Sequence, residues 1–276
     1  MTDWLSDVWA RTRTVWILSG GLADGPLDDR ELLAELVDPD QLSRARELTT
    51  NGRFTGDICR CLGGPTLALY DVDDQILGSA TLHGHGSVSW ERDRFADDLD
   101  VAEPTALTLF LSECGVNGIL SSSLFTDLAK ALGYYEKPRR PQFRPAKLPA
   151  TLAERQVPDL LRDDLVGVTG DGTAKLPDER VREFALRLAA AEPDPVARAG
   201  ALLNWLGRLP YPTEAMWGEG VLVRRLLATV TDADIVTAAA AGEPVVALGA
   251  LNWVAHQSDD RAVAAAIAPT LRRLLS

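Results

Sequence analysis

Four residues able to bind a soft metal crowd into one short stretch, Asp57 to Trp90. Cys59 and Cys61 stand as Cys-x-Cys, and His83 and His85 as His-x-His. The whole chain of 276 residues has three cysteines and three histidines, so this window holds most of its thiol and imidazole groups. Tetrahedral zinc takes thiolates at about 2.3 Å and imidazoles at about 2.0 Å. A mixed sulfur and imidazole set suits zinc ahead of iron or copper. Cys59, Cys61, His83 and His85 are therefore the expected ligands, and zinc the expected ion.

Four protein ligands would close the site and make the metal structural. With His85 displaced, three would remain and water could take the fourth place. Glu91, Asp57 or Asp93 would then be the nearest candidates for a general base in metal-assisted hydrolysis. Two metal-free readings compete. Buried cysteines can act as small hydrophobes beside a turn histidine, or Cys-x-Cys can form a redox thiol pair. Neither spacing is among the strongly diagnostic zinc signatures.

The elements that position these residues read as follows. Trp4, Val8, Trp9, Val15 and Trp16 fall near helical spacing over "DWLSDVWARTRTVWIL", and "LDDRELLAELVD" and "DPDQLSRARELTT" follow as acid-opened helices. Beyond Gly56 the runs "DICRC", "TLALYDV", "ILGSATLH" and "SVSW" have strand length and turn-forming separators, predicting a four-stranded antiparallel meander. In a strand, side chains two apart share a face, which would pair Cys59 with Cys61 and His83 with His85. "EPTALTLFLSECG" and "SSLFTDLAKALGYY" return to helix, with Cys114 on an apolar stripe and so a core residue. The acidic run "ERDRFADDLD" reads as a solvated face and lacks the spacing of a calcium loop.

"EKPRRPQFRPAKLP" carries four prolines and five basic residues in fourteen positions, a composition for an extended strap. Beyond it the chain is helical and alanine-rich. "PVARAGALLNWLGRL" from Pro195 is echoed by "PVVALGALNWVAHQ" from Pro244, so Asn204-Trp205 corresponds to Asn252-Trp253. That spacing is near a helix-pair repeat of the HEAT kind. His256, next in line, reads as a surface or capping residue.

The expectation is an α+β fold: an α+β domain over residues 1–136 with N-terminal helices, the meander and the Cys/His cluster, a proline-rich basic linker over 137–148, and an all-helical domain of stacked helix pairs, HEAT-like or a bundle, over 149–276. The net charge of −12 argues against a broad nucleic-acid or anionic-membrane surface. No window reaches the apolar length of a membrane span. Three cysteines cannot build a disulfide framework, so a reducing cytoplasm is the expected compartment. Lipase-type Gly-x-Ser-x-Gly, Walker and His-Glu-x-x-His motifs are absent. The functional expectation is a metal-stabilised binding or regulatory protein whose helical half meets a protein or small-molecule partner. The alternative is a metal-dependent enzyme, such as a hydrolase, with an open site at the Cys/His cluster.

Overall fold

In the computed structural model, which describes residues 1–91, 93–116, 119–137, 148–256 and 261–275, the chain divides into two compact units, Met1–Ser123 and Leu124–Ser276. All but two residues of the expected proline-rich linker, 138–147, lie outside the described residues.

The first unit opens on helix α1 (Thr2–Arg11), which ends where Thr12 turns extended and its hydroxyl bonds back to the Val8 carbonyl. The expected helix does not continue. Thr14–Leu18 forms strand β1, with Val15 and Ile17 fully buried, because β-branched residues pack well on a pleated surface. A second expected helix is also replaced: after a short 3₁₀ turn (Leu27–Asp29), Leu32–Leu36 is strand β2. Its Leu, Ala and Glu favour helix, but pairing with β1 at the sheet edge overrides that preference. Helix α2 (Pro39–Thr50) stands as expected, capped by the Asp38 carboxylate.

Strands β3 (Gly52–Phe54), β4 (Thr66–Tyr70), β5 (Ile76–His83), β6 (Ser87–Trp90) and β7 (Leu99–Val101) complete one antiparallel sheet of seven strands, ordered β2-β1-β4-β5-β6-β7-β3. The expected four-stranded meander is thus too small, and "DICRC" is not one of its strands. The N–H groups of Gly56, Ile58 and Cys59 bond to the side chains of Asp97, Asp57 and Asp98 instead of to a neighbouring strand. Helix α3 (Pro104–Glu113) follows.

Register sorts the sheet into two faces. Ala80, Leu82, Val88 and Trp90 join Leu5, Val8 and Trp9 of α1, Leu48 of α2, and Leu107 and Leu111 of α3 in one apolar core. Trp90 meets Trp9 edge-on at 6.1 Å between centroids and donates its indole N–H to the Thr49 carbonyl. Cys114 packs against this core, and burial pushes its thiol up to about 11. The other face at β5 and β6 is polar yet closed to solvent: Thr81, His83, Ser87 and Ser89 are all buried. A buried polar face needs partners for every group on it, and those partners make the site.

Helices fill the second unit: α4 (Ile119–Ala131, begun in the first unit), α5 (Pro149–Glu154), α6 (Asp159–Leu165), α7 (Gly170–Ala174), α8 (Asp178–Ala191), α9 (Pro195–Gly207), α10 (Glu219–Leu227), α11 (Asp232–Ala239), α12 (Pro244–Val254) and α13 (Arg261–Leu275), with a π-helical turn at Thr213–Trp217. The two echoed segments are α9 and α12, and they pack directly on each other. A Cβ on Gly207 would strike the Val245 carbonyl, and one on Gly249 the Leu203 carbonyl, so glycine lets these backbones touch. Of the echoed Asn-Trp pairs, Trp205 and Asn252 enter a buried polar network, while Asn204 bonds Gln156 and Arg208 nearer the surface. Trp205 donates to Glu219, which also pairs with Arg155 at 2.7 Å, and Asn252 holds Arg224 and the Ala215 carbonyl. His256 caps α12 through Nδ1 on the Asn252 carbonyl. Among the described residues no helix is long and apolar enough to cross a membrane.

Candidate metal centre

Antiparallel pairing places the start of β4 beside the end of β5, with Thr66 opposite Thr81. The segment leading into β4 must therefore run past His83. It is pinned at both ends. Thr55 N–H and Asp98 N–H bond across to the Asp98 and Asp57 carbonyls, and Gly64 N–H bonds to the Leu82 carbonyl. Gly63 has φ +66°, and a Cβ there would press on the Thr81 methyl and, at 3.0 Å, on the His83 ring. Only glycine lets this loop lie flat on the polar face of the sheet.

The result brings Cys59, Cys61 and His83 together, with one ligand atom from each all within 4.8 Å of one another. Cys59 Sγ and Cys61 Sγ are 2.7 Å apart, and Cys61 Sγ is 2.9 Å from His83 Nδ1. Cys61 is exposed, Cys59 half-buried and His83 buried. Burial, and then the adjacent Cys59 thiol, raise the Cys61 thiol above its ordinary value. Two neighbouring thiols resist ionising together; a cation between them reverses that preference.

The protonation of His83 follows from its partners. The Ser89 hydroxyl has a single hydrogen and gives it to Asp98 Oδ1 at 2.5 Å, since an ionised carboxylate only accepts. Ser89 must then accept from His83 Nε2–H, 2.7 Å away. In the neutral ring Nδ1 is then the lone-pair nitrogen, and it is the one that faces the sulfurs. A second atom of the same carboxylate, Asp98 Oδ2, accepts the Cys59 N–H at 2.6 Å. One buried carboxylate thus fixes both the cysteine loop and the histidine tautomer, the outer-shell arrangement that metal-binding histidines use.

The donor chemistry fits a metal. Two soft sulfurs and a neutral imidazole nitrogen form a zinc-type set. Seating zinc would spread the two sulfurs to about 3.8 Å, the edge of a tetrahedron with 2.3 Å bonds; Cys61, being exposed, has room to make that movement. The carboxylate of Asp98 is buried and held by neutral donors, so the site's own charge also favours a cation.

His85, expected as the fourth ligand, stands outside this group. Strand β5 ends at His83 and residues 84–86 turn, so strand alternation stops there, although the two imidazole rings stay neighbours at 5.4 Å between centroids. His85 is exposed and its Nε2 meets Ser87 Oγ at 2.8 Å. Of the proposed bases, Glu91 accepts from Ser79 N–H at the far end of β6 and Asp57 caps its own loop through Ile58 N–H. The acidic run expected as a solvated face instead supplies Asp98, which is 3% exposed. Ser89 and Asp98 are the residues that sequence reading missed. The alternating serines of "SVSW" signalled a polar strand face, but nothing local connects them to Asp98. Comparison with protein-family models, curated proteins and solved structures finds no match for this chain.

Proposed function

We propose that this chain is a zinc-stabilised binding or regulatory protein of the cytoplasm, in which Cys59, Cys61 and His83 hold the ion. The carrying observation is the convergence of those three donors on a preset histidine tautomer. In this reading the ion replaces missing backbone pairing. The loop between β3 and β4 has few strand-like bonds, and a metal fastening it to β5 supplies the constraint, since binding free energy at such a site is folding free energy. The helical residues 149–276 of the second unit, as stacked helix pairs beyond the proline-rich linker, are the part proposed to meet a protein or small-molecule partner.

A second reading, a metal-dependent enzyme of hydrolase type, has one specific observation in its favour. Three protein donors leave a tetrahedral ion one place for water, and the exposed side of Cys61 gives that place access.

Metal analysis of the purified full chain tests both. One zinc per chain is expected, reduced at least tenfold by Cys61→Ser. X-ray absorption should give two sulfurs and one nitrogen. A first shell completed by an exchangeable oxygen, with the fold kept after chelation, supports the enzyme; unfolding of the first unit on chelation supports the structural role. Metal content and melting temperature both unchanged by Cys61→Ser would remove the two together.

A further inference from the structure

A strand at "DICRC" would hold its two thiols apart. Cα atoms two apart in a strand are separated by about 6.6 Å, at roughly 3.3 Å per residue, which is close to the upper limit of about 6.8 Å that a disulfide spans. The segment is instead a loop that bends at Cys61. The Cys61 N–H turns back to Cys59 Sγ at 3.2 Å, and the two sulfurs come within 2.7 Å of each other. The third thiol, Cys114, packs against the apolar core and takes no part in the cluster.

The paired sulfurs differ in access. Arg60, Cys61 and Leu62 are consecutive exposed residues, so a small molecule arriving from solvent meets Cys61 first. Cys59 is half-buried, and its backbone is held by the N–H bond to Asp98 Oδ2. Sulfurs that ligate a metal are thiolates, and the thiolate is the nucleophilic form of cysteine. A pair set to bind a metal is therefore also set for oxidation.

We propose that Cys59 and Cys61 form a peroxide-sensitive release for the metal, an inference that rests on the zinc reading. Cys61 Sγ attacks one oxygen of hydrogen peroxide. The O–O bond breaks, hydroxide leaves and takes up a proton as water, and Cys61 becomes a sulfenic acid. Cys59 Sγ then attacks that sulfur; the S–S bond forms, the S–O bond breaks, and a second hydroxide leaves as water. Two thiolates, one peroxide and two protons thus give one disulfide and two waters, with two electrons passing from sulfur to peroxide. A disulfide carries no anionic sulfur, so His83 Nδ1 is the one donor left of the three and the ion departs. The new bond joins Cys59 only to Cys61 and fastens nothing to β5, so oxidation frees the loop as chelation does. Exchange with a dithiol reductant reverses the step.

Peroxide treatment of the full chain, with its metal content measured beforehand, tests this. Zinc release to a chromophoric chelator should run at least tenfold faster than without peroxide. The count of titratable thiols should fall from three to one, and the intact chain should lose the mass of two hydrogen atoms. Peptide mapping should place the bond between Cys59 and Cys61, and dithiothreitol should restore both the thiols and zinc uptake. A chain that holds no zinc at the outset overturns the metal reading and the release together. Zinc kept with all the thiols intact, a disulfide between chains or to Cys114, or oxygen added to both sulfurs in place of the bond overturns the release alone.

Discussion

Replacing Asp98 by Asn changes no volume, yet it should disable the metal centre from the outer shell. The carboxylate accepts on both oxygens, from Cys59 N–H at 2.6 Å and from Ser89 O–H at 2.5 Å. An amide has one accepting arm and one donating arm. With Nδ2 toward Ser89, the serine must accept from it and turn its own hydrogen to His83 Nε2. The imidazole proton then moves to Nδ1, the nitrogen facing Cys61, and the lone pair needed for a metal is gone. With Nδ2 toward Cys59, two donors face each other and the loop loses its anchor. The second mismatch leaves a buried group unsatisfied at about 1–3 kcal/mol, whereas the first keeps every bond and forfeits only the lone pair. Outer-shell losses of this kind cost about 10–100-fold in metal affinity, or ~1.4–2.8 kcal/mol. Competition against a chromophoric chelator measures the affinity, and nitrogen NMR of the imidazole in the metal-free protein reads the tautomer. Zinc affinity within twofold of the natural chain, together with a proton still on Nε2, would refute the reasoning.

Gly63→Ala should reduce bound zinc and lower stability by about 1–3 kcal/mol, because the site demands a positive φ and the methyl presses on Thr81 and His83; equal metal content and melting would contradict this. Glu219→Gln leaves the Arg155 guanidinium buried without its counter-charge, so urea unfolding should show a loss of about 3–5 kcal/mol. Much of that loss should return in an Arg155→Met, Glu219→Leu double variant; a single-variant loss under about 1 kcal/mol would show the pair to be dispensable. Metal uptake should strengthen as pH rises, since the raised Cys61 thiol and its neighbour must surrender protons to the ion, about two in all. An affinity that stays flat between about pH 6 and 8 would count against thiolate ligation.

The meeting of Cys61 with His83 was within reach of the sequence. A hairpin turning at Asp73-Asp74 pairs the residues before β4 with the end of β5, and the glycines at 63 and 64 mark where the backbone must come close. That logic needs no strand at "DICRC", only a chain entering β4 from the correct end. His85 lies outside the three-donor group for a related reason. Alternation holds only while the strand lasts, and Gly84 and Gly86 on either side already announced the turn. Asp98 was beyond such reasoning. Its place depends on Asp98 and Thr55 bonding across, where β7 meets β3, a contact between segments far apart in sequence with no shared pattern. Its neighbours in a run of acids made solvent the natural expectation.

The echo between α9 and α12 has a similar lesson about what periodicity carries. Repetition of Pro-Val at the start and of the indole near the end reflects shared local needs: proline in the first turn of each helix, and a buried tryptophan, 205 or 253, in its last turns. The corresponding glycines do not share a role. Gly249 is at the backbone crossing, whereas its counterpart Gly200 faces a groove, and the crossing partner in α9 is Gly207. A repeat that preserved function would keep the contact at matching positions, so the two helices are alike as elements and different as sites. The difference leaves Gly200 beside an open groove, where a Cβ would meet only the Ala238 methyl, while Gly249 is held at the crossing by the Leu203 carbonyl.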